Sequence, residues 1–300
     1  MLEKYLLVIF CSNEQNSTCI LLGGTMLQIE NLIMISDLHS GDQLGLCPAK
    51  GIALDGGGWY KPNSIQLKMA EMWEHFWYQW VPKVTRGEPY AVAVVGDAIE
   101  GRHHRATHQI TPNLAIHKKV AYELLSPVRD ACNGNFYLLR GTEAHVGPSG
   151  EDEETLAKEL DAIPNEFGQY ARYELWKQVG DGLVHLMHHI GTTSSAAYEA
   201  TAVHKELIEE FTEAARWGEK APNVVVRAHR HRFLEVRIAT EEVYGVSLVL
   251  PGWQAKTPFA YKVAGARIAL PQFGGVLVKQ GDEELYTRSK VWNLKRQSVE

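Results

Sequence analysis

Cysteine is scarce: four in 300 residues (Cys11, Cys19, Cys47 and Cys132), none in a Cys-x-x-Cys spacing. That excludes a disulfide framework and a thiolate zinc site, and suits a reducing, cytoplasmic setting. Long apolar runs are also missing. None reaches the ~18–20 residues of a transmembrane helix, so no membrane partner is expected. Basic charge is not in excess either, with a formal net charge of −6, so no global field announces nucleic acid. A metal site could still supply positive charge locally. There is no internal repeat and no linker composition that would divide the chain. Residues 1–25 form an extension of uncertain status: an over-extended reading frame preceding Met26, a weak signal or anchor, or an extra strand. Residues 26–300 read as one domain.

Histidine is what the chain has in plenty, thirteen in all. The stretch Leu32 to Ile35 is a short apolar run that reads as a buried strand, and it leads into Ser36-Asp37-Leu38-His39. Residues i and i+2 of a strand share a face, so Asp37 and His39 leave its end together. The carboxyl ends of strands are where open α/β sheets bind ligands.

Later strands deliver similar residues to the same kind of position. Tyr90–Val95 runs into Gly96-Asp97-Ala98-Ile99-Glu100, and Phe136–Arg140 into Gly141-Thr142-Glu143-Ala144-His145. Leu183–Met187 ends in His188-His189, and Asn223–Arg227 in Ala228-His229-Arg230-His231. Helices are predicted between these strands, over Ser64–Val81, Asn113–Asp130, Glu151–Ile163 and Ala196–Trp217. In the first, Met69, Met72, Trp73, Phe76, Trp77 and Trp80 form an aromatic stripe, read as a packing face rather than a base-stacking platform. In the last, Val203, Leu207, Ile208, Phe211 and Ala215 are the expected buried face. The acidic run Glu151–Glu154 reads as a helix start. Beyond Phe233 the texture changes to hairpins, Phe233–Ile238 with Val243–Leu250 across Ala239–Glu242, and Gly275–Lys279 with Leu285–Lys290. The segment Lys295–Glu300 is expected to be a frayed tail. His185, inside its strand, reads as a hydrogen-bonded face residue.

Any one of the five strand ends is a weak signal alone. Together they indicate a metal site, and carboxylate with imidazole ligands suits Mn, Fe, Zn or Ni. The donors outnumber what one four- to six-coordinate ion needs, so two divalent ions are implied, with Mn²⁺ first among them.

These residues resemble the calcineurin-like metallophosphoesterases, whose pattern is Asp-x-His, Gly-Asp-x-x-Asp/Glu, Gly-Asn-His-Asp/Glu, a strand-end His, and Gly-His-x-His. The resemblance spans about Met26 to Val278. It implies a four-layer αββα sandwich, two mixed β-sheets flanked by helices. It also implies hydrolysis of phosphate esters by a hydroxide bridging the two metals. One metal would take Asp37, His39 and His231; Asp97 would bridge; the other would take His229 and His188 or His189. His145 would be the general acid. The Asn position is occupied by Thr142 or Glu143, the carboxylate being the better ligand, and Ala228 replaces a glycine. The Gly-Thr-Glu-Ala-His form looks like the family's phage branch. Arg102, His103, His104 and Arg140 lie near these positions and suit the phosphate or the rest of the substrate. A phosphodiester, as nucleotide or nucleic acid, is favoured over a phosphomonoester or phosphoprotein, and over a catalytically weak binding module that keeps the fold.

Overall fold

The computed structural model describes residues 29–103, 106–191, 195–239, 244–263 and 269–293, with 20–22 and 25–27 as backbone only. Residues 1–19, His104, the turn at 240–242 and the tail at 295–300 lie outside the described residues.

Two sheets dominate. The first joins β3 (Asn31–Ile35), β6 (Ala91–Val95), β7 (Phe136–Leu139), β8 (Ala171–Arg172), β14 (Gln272–Gln280) and β15 (Leu285–Asn293), in the order β15-β14-β3-β6-β7-β8. The second joins β9 (Glu174–Val179), β10 (Gly182–Met187), β11 (Val224–Arg227), β12 (Leu234–Ala239) and β13 (Tyr244–Val249), in the order β12-β13-β11-β10-β9. Small hairpins pair β1 (Ile20–Leu22) with β2 (Thr25–Leu27) and β4 (Ile52–Ala53) with β5 (Trp59–Tyr60). β3, β6, β7 and β8 run parallel, as do β10, β11 and β13. The C-terminal hairpin returns to the first sheet, where β14 pairs antiparallel with β3 in the register Val276 to Met34.

Alternation along the strands builds two cores. Leu32, Met34, Ala93 and Val95 face inward to meet Leu186, Val226 and Leu248 of the second sheet. Ile33, Ile35, Val92 and Val94 face outward onto helices. Both faces of β3 are therefore buried, which is why it reads as an unbroken apolar run. Its outer cover is α1 (Ser64–His75), followed by a π-helical turn over Phe76–Trp80 and α2 (Val81–Thr85). Asn63 caps α1 by accepting from the Ile65 and Gln66 amides, while the Gln66 side chain accepts from the Asn63 amide. Met69, Trp73, Phe76, Trp77 and Trp80 are buried there, so the aromatic stripe is core.

Helix α3 (Leu114–Ala131) and α5 (Glu151–Glu159) complete that layer, α5 ending four residues before the expected Ile163. On the far side α6 (Glu199–Trp217) covers β11, β12 and β13 through Val203 and Leu207. Ile208 and Ala215, expected inside, are exposed. The result is a mixed α/β sandwich of two sheets flanked by helices, in four layers. Among the described residues no helix is long and apolar enough to cross a membrane.

Candidate metal centre

The C-terminal ends of β3, β6, β7, β10 and β11 converge, and the loops beyond them stay tied by backbone bonds. The Asp37 amide donates to the Gly96 carbonyl (3.0 Å), the His39 amide to Asp97 (3.0 Å), and the Ala228 amide to His188 (2.9 Å). Asp37, His39, Asp97, His229 and His231 all adopt left-handed backbone angles, with φ from 46° to 72°. Such angles cost a non-glycine residue about 1–2 kcal/mol each and persist where the surroundings fix them.

Four groups of donors result among the described residues, and two of them share Asp37. Asp37, His39 and His231 bring ligand atoms within 4.8 Å of one another, as do Asp37, Asp97, His188 and His229. In the first, His231 Nε2 lies 3.2 Å from Asp37 Oδ1 and 3.2 Å from His39 Nε2. In the second, His188 Nε2 lies 3.1 Å from Asp97 Oδ2 and 3.3 Å from His229 Nδ1. Asp37 belongs to both groups, and Asp97 of the second has its Oδ2 4.0 Å from His39 Nε2 of the first.

The far side of each ring is anchored. His39 Nδ1 is 2.9 Å from the Glu100 carboxylate, and His188 Nδ1 is 2.7 Å from the Val95 carbonyl. Anchoring Nδ1 in this way turns Nε2 toward the centre, the arrangement outer partners impose on metal-binding histidines. Asp37 Oδ1 is buried, with the His231 ring nitrogen as its near neighbour. Imidazole nitrogens crowded together around buried carboxylate oxygens are what a pair of cations would satisfy.

The electrostatics agree. Burial alone would raise Asp37 and Asp97, but His231 beside the one and His188 beside the other hold both below the usual carboxylate range. Against burial, Glu100 raises His39 to about 9 and Asp97 raises His188 to about 10. In the absence of metal, protons occupy the positions a cation would take.

Several expected residues are placed differently. Thr142, not Glu143, joins the centre: its Oγ1 is 3.0 Å from His229 Nδ1, 3.3 Å from His188 Nε2 and 3.2 Å from Asp97 Oδ2. Thr142 stands at the N-cap of the short helix α4 (Glu143–Val146), and the next residue is rotated outward, leaving Glu143 exposed. His189 is likewise exposed, its ring centroid 5.0 Å from that of His188, and it belongs to neither donor group. Arg140 is turned to structural work, its Nε and Nη1 donating to the Ala171 and Ser149 carbonyls. His103 bonds Glu100 at 2.7 Å and packs edge-on to His145, and Arg102 lines a cleft with His145 and Glu143. His145 sits 4.5 Å, ring to ring, from His39, with Nδ1 2.6 Å from the Glu100 carbonyl. His185 is buried between Glu210 and Glu174 and stacked on Trp176, a face residue as expected. Ala228 is buried and outside the left-handed region, so it fits where a glycine is more usual.

Two carboxylates matter that sequence reasoning gave no role. Glu100 binds His39 and His103 and accepts from Gln254 (3.0 Å); its three-residue spacing from Asp97 was the available signal. Glu153, inside the acidic run, is fully buried and accepts from the Ala98 and Gly141 amides, both at 2.7 Å. It clamps the loop carrying Asp97 to the loop carrying Thr142. Burial, with the charge of Asp97, pushes it up to about 8. A folded pKa above the unfolded value means that its stabilising contribution is complete below about 4.5 and lost as pH rises through about 8. Glu153→Gln keeps one acceptor but sets an NH₂ against the other amide, at about 1–3 kcal/mol. Urea unfolding is expected to show that loss at pH 6 and a flatter fall in stability from pH 6 to 9 than in the unaltered protein.

No protein-family model and no curated protein matches the chain by sequence. Among solved structures it is similar to vacuolar protein sorting 29 from Cryptosporidium parvum, at 12% identity and TM-score 0.34, over 88% of this chain and 98% of that one. It is also similar to a Vps29 double mutant from Entamoeba histolytica, at 10% identity and TM-score 0.37, over 88% and 99%. The Thermus thermophilus sulfate thiohydrolase SoxB matches at 13% identity and TM-score 0.36, over 88% of this chain and 56% of that one. At these scores the likeness adds nothing to the chemistry of the site, which rests on its own side chains.

Proposed function

We propose that this chain is a metal-dependent phosphoesterase of the calcineurin-like kind, with phosphodiesters its favoured substrates. The observation that carries the reading is the double donor set. Asp37, His39 and His231 would hold one divalent ion, and His188, His229 and Thr142 the other, with Asp97 between them. Divalent ions bound there would bring the pKa of a coordinated water toward neutrality and neutralise phosphoryl charge.

The chain's own groups do the rest. Glu100 fixes the ring of His39, and Glu153 fixes the spacing of Asp97 and Thr142. The Nδ1 of His145 is engaged by the Glu100 carbonyl, so Nε2 is the atom for proton transfer to the leaving oxygen. Burial holds His145 near 4 in the free protein. A phosphate seated beside it favours the imidazolium and so supplies the proton.

Two clefts meet at His103 and His145, one lined by Arg102, Leu114 and Glu143, the other by Phe259, Leu270 and Lys256. Two clefts suit the two ester arms of a diester. With Mn²⁺, the protein is expected to hydrolyse bis-p-nitrophenyl phosphate faster than p-nitrophenyl phosphate. A faster monoester would make it a phosphomonoesterase. Turnover of neither with Mn²⁺, Zn²⁺, Fe²⁺ or Ni²⁺ would leave a binding module.

A further inference from the structure

The second of these clefts has a volume of about 380 Å³ and two unlike walls. One is the donor cluster itself, with His39, Asp97, His229 and His231. The other is apolar, formed by Ile190, Phe259, Val263, Ala269, Leu270 and Pro271. Phe259 is 48% exposed and Leu270 36%, although the cores of the sandwich lie elsewhere. Cations stand at its margins. Lys256 lies 4.3 Å above the Tyr261 ring, Arg230 donates to the Gly191 carbonyl, and Arg232 pairs with Glu199 at 3.2 Å.

Resting on the phosphoesterase reading, we infer that the substrate carries an apolar, ring-sized arm which lies against Phe259 and Leu270 while its phosphate lies on the donor cluster. The volume suits a compact organic ligand. One continuous cleft joins the apolar wall to the cluster, so a single molecule can cover both. Burying a ring against this wall removes apolar surface from water on both partners. An ester with only a small aliphatic arm would leave Phe259 and Leu270 in water.

Calorimetry on the Mn²⁺-loaded protein with two probes tests this, because phenylphosphonate and methylphosphonate share a head group and differ only in the arm. Phenylphosphonate is expected to bind at least about tenfold more tightly. In a Phe259→Ala, Leu270→Ala double variant that preference should shrink to about threefold or less. Both side chains are exposed, so their truncation spares the core. Equal affinities in the unaltered protein, or an unchanged preference in the variant, would overturn the ring-sized arm while the phosphate site stood. Failure of both probes to bind would overturn this inference, and hydrolysis of bis-p-nitrophenyl phosphate by the same sample tells that failure apart from failure of the phosphoesterase reading.

Discussion

Asp97→Asn is expected to lower hydrolysis of bis-p-nitrophenyl phosphate by well over 10²-fold, with the fold intact. Removing an outer partner of a metal ligand already costs about 10–100-fold, and Asp97 stands closer than that. The substitution preserves shape. Oδ1, which accepts the Thr142 amide at 2.7 Å, can remain an oxygen. The change falls on Oδ2, the atom 3.1 Å from His188 Nε2 and 4.0 Å from His39 Nε2. An NH₂ there has no lone pair to offer a cation, and the negative charge beside His188 is gone. The raised pKa of His188 would fall as well, because the charge of Asp97 is what chiefly holds it up against burial. Circular dichroism and turnover together check the expectation. An Asp97→Asn protein with near-normal turnover would mean that the carboxylate is no ligand.

Gly141→Ala should be nearly as damaging, by a different route. A Cβ at Gly141 would lie 2.0 Å from Asp97 Oδ1 and 2.2 Å from the Asp97 amide nitrogen. Backbone cannot yield as a flexible side chain does, so the loops carrying Asp97 and Thr142 must part. The Glu153 clamp, which takes one amide from each loop, would be strained in the same movement. Overpacking of this kind costs about 1–3 kcal/mol. Thermal unfolding should show that loss, and metal titration should show weakened binding at the Thr142 side. Gly56, with nothing within 4 Å of an added Cβ, is the control, and Gly56→Ala should change neither readout.

Much of this was legible in the sequence for a simple reason. β3, β6 and β11 are buried along their whole length, so they appear as short apolar runs, and their polar successors stand out as ligand candidates. Both antiparallel pairs after Phe233 were legible from the short polar stretches that separate their runs. The longest of the missed strands is β9, the others being the two-residue β4, β5 and β8: in β9 only every other residue is clearly buried, and one of the buried ones is Lys177, held near the Tyr137 hydroxyl at 3.3 Å. A lysine at an inward position breaks the pattern that marks a strand.

The exchange of Glu143 for Thr142 has a similar cause. Ligand chemistry favoured the carboxylate, but the backbone at the start of α4 turns Thr142 inward and its neighbour out. Nothing local in the run Glu151–Glu154 marks the third residue as the one that reaches under two loops. The left-handed angles at five donor positions are also invisible in a sequence, since Asp and His show no preference strong enough to announce them.

The most direct measurement is anomalous diffraction from crystals grown with Mn²⁺. Two peaks are expected about 3.5–4 Å apart, one among Asp37, His39 and His231, the other among His188, His229 and Thr142, with Asp97 reaching both. A single peak, or peaks away from these side chains, would contradict that expectation.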